Sequence, residues 1–155
     1  VYFGEESTVQ CHISDTRRAS VFGTPGVDID WRNQNTFFLK TGEAKTYIGK
    51  YRGVNRIPLL KLSEMYLIAA EASGDKGYLQ TLRDHRGYVN YPLEENCDLA
   101  AEIEAEYRKE FMAEGQLFYY YKRLDYNTLP DMGVVMTGNY VFPMPDDEME
   151  FGDIK

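Results

Sequence analysis

The rhythm of apolar and polar positions changes at Pro58. Upstream, Gly4, Gly23, Gly26, Gly42, Gly49, Gly53 and Pro25 interrupt residues 1–57 too often for long helices, so this third reads as loop-rich. Within it, residues 35–40 and 45–51 are short β-like pieces. Downstream, Leu62, Met65, Tyr66, Ala69 and Ala72 recur at helical spacing. They predict a helix over residues 60–73 that Gly74 stops, with small side chains that let another helix come close. Leu79 and Leu82 point inward on a second helix over 76–86, ended by Gly87, and residues 88–96 follow as a loop around Asn90 and Pro92. Asn96 or Asp98 caps a third helix over 97–114, whose stripe is Leu99, Ile103, Tyr107 and Phe111. Glu102, Glu104, Glu106, Arg108 and Lys109 fall on its other faces, and Gly115 breaks it. A short helix follows to about Asp125. Residues 126–139 are a loop, residues 140–145 are held extended by Pro143 and Pro145, and residues 146–149 form a capped turn.

These elements predict a mainly α fold with few short strands. Two antiparallel helix pairs, 60–73 with 76–86 and 97–114 with 116–124, recur at the ~35-residue period of tetratricopeptide-like arrays. Two pairs leave ends to cover, by the loop-rich first third or by further chain. The expected organisation is a single domain over 1–155: a loop-rich segment over 1–57, helix pairs over 58–125 and an extended segment over 126–155.

Composition narrows the function classes. The 155 residues, 43% hydrophobic and 27% charged, are enough for one folded core. A net charge of −8 argues against nucleic acid and anionic lipid as direct partners. No apolar run approaches the ~20 residues that span a bilayer. Residues 1–6 have neither the basic start nor the apolar stretch of a signal peptide, so either the protein is cytoplasmic or the chain starts downstream of its targeting segment. Cys11 and Cys97 lie far apart, and free thiols are the expectation over a disulfide. His12 and His85 lack metal-ligand spacing, so no metal or cofactor is expected. Thirteen tyrosines and eight phenylalanines suit packing against irregular loops, and they also suit sugar or peptide recognition. Tyr119, Tyr120 and Tyr121 cannot all face inward on one helix.

No GxSxG, HExxH, Walker or dinucleotide-loop pattern occurs. Glu110 and Glu114, one helical turn apart, invite a glycosidase reading. A hydrolase, however, sets its two carboxyls across a cleft, ~5 Å or more apart on opposite faces of the sugar. Ion pairing with Arg108, Lys109 or Arg123 is the simpler expectation. For ligand contact the candidate is the loop-like stretch holding Trp31, Arg32, Asn33, Gln34 and Asn35, where a flat ring sits beside amide and guanidinium groups suited to sugar hydroxyls. The plainer role for Trp31 is to anchor that loop to the core.

Four segments together resemble the C-terminal portion of the SusD/RagB family. Residues 57–72, IPLLKLSEMYLIAAEA, resemble its R-L-x-E-x-Y-L-I-x-A-E-A helix. Residues 79–87, LQTLRDHRG, stand where the family carries L-N-x-V-R-x-R. Residues 103–119, IEAEYRKEFMAEGQLFY, are similar to E-R-R-x-E-F-x-x-E-G-x-R-F-x-D-L-x-R. YVFPMP at 140–145, with Glu148 and Met149, is similar to F-P-I-P-x-x-E. Asp15, Thr16 and Arg17, and Lys50 with Tyr51, are like upstream family elements. Leu117 replaces the usual arginine and Tyr120 the usual aspartate. The likeness runs from about residue 15 to 150.

The resemblance implies a lipid-anchored outer-membrane protein at the cell surface of Bacteroidetes-type bacteria, longer than this chain and carrying its lipid anchor outside it. Such a protein binds oligosaccharide or peptide without catalysis and delivers it to a SusC-like TonB-dependent transporter. Its helix pairs form the scaffold, and its ligand sites lie on loops. Two other expectations stand beside this one. The first is a tetratricopeptide-like protein–protein interaction module that grips a peptide in its groove. The second is a glycoside hydrolase using Glu110 and Glu114.

Overall fold

A computed structural model describes residues 11–52, 56–130, 135–136, 138, 140–141, 144–145 and 150. The fold is mainly α, with one small sheet. It divides into two compact units, residues 1–114 and 115–155.

In the first unit, β1 (His12–Ile13) leads into α1 (Asp15–Phe22), which the Ser14 hydroxyl caps by accepting from the Arg17 amide. Two short helices follow, α2 (Gly26–Ile29) and α3 (Trp31–Thr36). The stretch expected as a loop is therefore helical. Asp30 sits between the two helices and caps α3 by accepting from the Arg32 amide at 2.8 Å. β2 (Phe37–Leu39) and β3 (Thr46–Ile48) fall inside the two β-like pieces expected from the sequence. The sheet is antiparallel in the order β1-β3-β2, with Tyr47 opposite both His12 and Phe38.

The predicted helix pair is present as α4 (Leu62–Ser73) and α5 (Lys76–Arg83), packed on each other. The link is two residues long because Gly74 takes a left-handed conformation (φ 69°) and Asp75 caps α5. Past Arg83 the helix widens over Asp84–Tyr88 into a π-type turn that is kinked at Gly87, φ 107°. α6 (Leu99–Glu110), capped by Asp98, packs on both α4 and α1. It stops at Glu110, short of the expected Gly115. Leu67, Ala70, Leu79, Ile103 and Phe111 form the buried core.

Two expectations about helix faces need correction. On α4 the buried positions are Ser63, Leu67 and Ala70, not the stripe through Leu62, Met65 and Ala72. Leu62 is 72% exposed and Leu67 fully buried. Residues 59–70 are apolar on nearly every side, so period alone selects no face, and contact with α5 and α6 decides. On α6, Glu106 and Lys109 are expected outward with the other charges but are buried beside Ile103 and Tyr107. Each carries a partner that makes burial tolerable.

In the second unit, α7 (Gln116–Arg123) buries Tyr120 and Tyr121 and leaves Tyr119 exposed, as the run of three tyrosines requires. Lys122 Nζ donates to the Tyr140 carbonyl at 2.7 Å, and the Tyr140 hydroxyl donates to the Tyr126 carbonyl at 2.9 Å. Thr128 and Val135 form an isolated antiparallel bridge within the expected loop. The capped turn expected at 146–149 lies outside the described residues.

Candidate functional site

Glu106, Glu110 and Glu114 recur at intervals of four, so the α6 geometry puts Glu106 and Glu110 on one face. Each of the three is held by cations from distant regions of the chain. Glu106 accepts from Arg32 Nη2 at 2.7 Å and from Lys109 Nζ at 2.9 Å. Glu110 accepts a two-pronged contact from Arg86, Nε at 3.1 Å and Nη2 at 3.0 Å, and a third bond from Arg32 Nη1 at 3.1 Å. Glu114 accepts from Lys50, Lys61 and the Tyr51 hydroxyl. The α3 region, the sheet-side lysine, the start of α4 and the turn after α5 are thus tied to one line of carboxylates. Ion pairing is the expected role of Glu110 and Glu114, and the partners seen are Arg32 and Arg86 for Glu110 and Lys50 and Lys61 for Glu114. They come from 24 and 78 residues away for Glu110, and Lys61 comes from 53 residues away for Glu114.

Arg32 is the hub. Its Nε and Nη2 also bind both oxygens of Asp30, at 3.0 and 2.7 Å. Burial works against its charge, but Glu106, Asp30 and Glu110 outweigh that and raise its pKa above the ordinary guanidinium value. Burial also opposes ionisation of Glu106, and Arg32 and Lys109 overcome it, leaving the carboxyl below its ordinary range. For Glu110, burial is again outweighed, first by Arg86 and then by Arg32 and the Ser63 hydroxyl, which hold it at about 2. Lys50 goes the other way. Burial lowers its pKa and the nearby charge of Lys61 adds to that, against the pull of Glu114 and Glu110.

Beside this network lies an open pocket of about 240 Å³, lined among others by Trp31, Asn35, Lys50, His85, Arg86 and Glu110. Trp31 is 54% exposed. Its other side rests against the Asp84–Tyr88 turn, where a Cβ on Gly87 would stand 3.2 Å from the indole ring and collide with the Ile29 carbonyl. Only glycine permits that approach. The ring is therefore both anchored and presented.

The structure separates the other residues expected around it. Arg32 lines the pocket but is only 11% exposed and is engaged by three carboxylates. Asn33 is buried and donates to the Val27 carbonyl at 2.6 Å. Gln34 donates to the Asp28 carbonyl at 2.8 Å, and Asn35 donates to the Trp31 carbonyl at 2.7 Å. The amides of Asn33 and Gln34 hold α3 to α2, whereas Asn35 bonds within α3 and borders the pocket. Sequence reasoning misses Lys50, His85 and Arg86 as lining residues. Nothing in their local spacing marks them as lining residues.

A second open pocket of about 680 Å³ lies between the Asn90–Asn96 loop and α6, with Arg83, Cys97 and Glu102 on its wall. Cys11 and Cys97 are free thiols. Among the described residues, no group of three His, Cys, Asp or Glu is placed to hold a metal ion, and no helix is long and apolar enough to cross a membrane. Comparison with known proteins finds no matching family model, no similar curated protein and no similar solved structure.

Proposed function

We propose that this chain belongs to a non-catalytic nutrient-binding protein of the SusD/RagB type. In this reading it takes an oligosaccharide, or a peptide, in the pocket beside Trp31 at the outer-membrane surface for delivery to a TonB-dependent transporter. The observation that carries the reading is the half-exposed Trp31 ring, braced from behind by Gly87 and bordered by cations and Asn35. A flat ring on a rigid mount, with polar groups beside it, suits stacking against a sugar face.

The carboxylates support the absence of chemistry. Glu110, at about 2, stays ionised and triply hydrogen-bonded at neutral pH, which makes it a poor proton donor. The test is calorimetric titration with a panel of oligosaccharides and short peptides, recovering the ligand afterwards. Saturable binding that Trp31→Ala abolishes, with ligand recovered intact, is the expected outcome. Cleaved ligand, or binding indifferent to Trp31, overturns the proposal.

One observation favours the second reading, a protein–protein interaction module. Leu59, Leu60, Leu62, Met65 and Ile68 form an exposed apolar strip along the start and outer face of α4. Strips of this kind mark contact surfaces. A peptide gripped in an open groove fits less well, because α1 and Arg32 from the first third already cover α6.

A further inference from the structure

At Glu114 two ammonium groups, Lys50 and Lys61, face one carboxylate. One of its oxygens serves both. This local positive excess sits in a chain whose net charge is −8. It also opens onto the Trp31 pocket. Of the charged residues lining that pocket, four are cations, and the one carboxylate, Glu110, has both oxygens taken by Arg86 and Arg32. Lys50 and Arg86 are the most exposed of those cations. Among the described residues, Arg86 Nη1 donates to the His85 carbonyl at 3.3 Å. The pocket, at about 240 Å³, is smaller than the ~300 Å³ at which sites for drug-sized ligands begin, so it suits a single ring.

We infer that the pocket takes a carboxylated sugar unit, such as a uronate, with its ring on Trp31 and its carboxylate held by Lys50 and Arg86. This rests on the oligosaccharide reading above and narrows it to acidic glycans. A ligand carboxylate supplies the missing countercharge at the point where two ammonium groups share one glutamate.

Trp31 is the chain's only tryptophan, so its fluorescence reports this pocket alone. The experiment titrates the chain with a uronate oligosaccharide and with the same oligosaccharide after its carboxyls have been reduced to alcohols. The uronate form should shift the emission saturably and bind about ten- to hundredfold more tightly than the neutral form, the range expected for a charge-assisted hydrogen bond. Lys50→Gln should reduce uronate binding to the neutral level, and Lys50→Arg should restore it. Equal binding of both forms overturns the acidic preference and leaves the oligosaccharide reading intact. Binding of neither form overturns both. Binding of a peptide with a free C-terminal carboxylate, but not of its amide or of either sugar, keeps the anion site and overturns the sugar assignment.

Discussion

Arg32 and Glu106, 74 residues apart in the chain, meet at 2.7 Å, and Asp30 holds the same guanidinium nitrogen from the other side at the same distance. Asp30 and Glu106 are both fully buried. The guanidinium offsets the burial of both carboxylates, with Lys109 assisting at Glu106, and they in turn offset the burial of Arg32. The pairing fastens α3 to α6 and fixes where the neighbouring Trp31 stands.

Removing the hub should be severe. Arg32→Met leaves three buried carboxylates, Asp30, Glu106 and Glu110, with one partner fewer, and breaking a buried pair from one side costs about 3–5 kcal/mol. Arg32→Lys should recover only a fraction of this, because a single ammonium cannot reach three carboxylates in a fork. Urea denaturation followed by circular dichroism measures both.

Acid should loosen the fold through Glu110. Its folded pKa, about 2, lies below the ordinary 4.5, so its contribution to stability is complete above the ordinary carboxylate range. That contribution is lost as the pH falls toward about 2, and Glu106, shifted in the same direction, adds to the effect. Urea midpoints should be level from pH 7 to near 5 and fall steeply below. A midpoint that holds down to pH 3 would count against the ion-paired frame.

The facing of α4 is checked by two leucines. Leu67→Ala removes a fully buried side chain and should cost about 2–5 kcal/mol. Leu62→Ala, on the exposed side, should stay within about 0.5 kcal/mol. The reverse order would mean that the stripe read from periodicity, and not the observed one, packs inside.

Gly87→Ala tests how Trp31 is mounted. The new methyl meets the Ile29 carbonyl and the indole, at a φ of 107° that side chains rarely adopt. A loss of about 1–3 kcal/mol is expected, together with a shift in tryptophan emission. A stability loss with unchanged emission would detach Trp31 from the turn.

Much of this architecture is legible in the sequence because its signals are local. Gly74, Asp75 and Asp98 mark helix ends by backbone conformation and capping, and the observed ends of α4, α5 and α7 fall within three residues of those expected. The short helices α1 to α3 are not legible. At four to eight residues they are too short to hold by propensity, and Ser14, Asp30 and the Arg32 contacts support them instead. Trp31 and its neighbours point to the right region, but the residues that complete the pocket come from Lys50 and the turn at His85 and Arg86. Such long-range pairings leave no trace in periodicity. The spacing of Glu106, Glu110 and Glu114 is visible in the sequence, whereas the identity of their partners is not.

The central claim is that these glutamates hold the fold. It is tested most directly by the stability of Glu106→Gln, Glu110→Gln and Glu114→Gln, measured by urea denaturation at pH 7. All three should be less stable than the parent chain, Glu106→Gln most of all, because its carboxylate is the most deeply buried of the three. Variants as stable as the parent, or more so, would show carboxylates kept for function at the expense of stability and would contradict the claim.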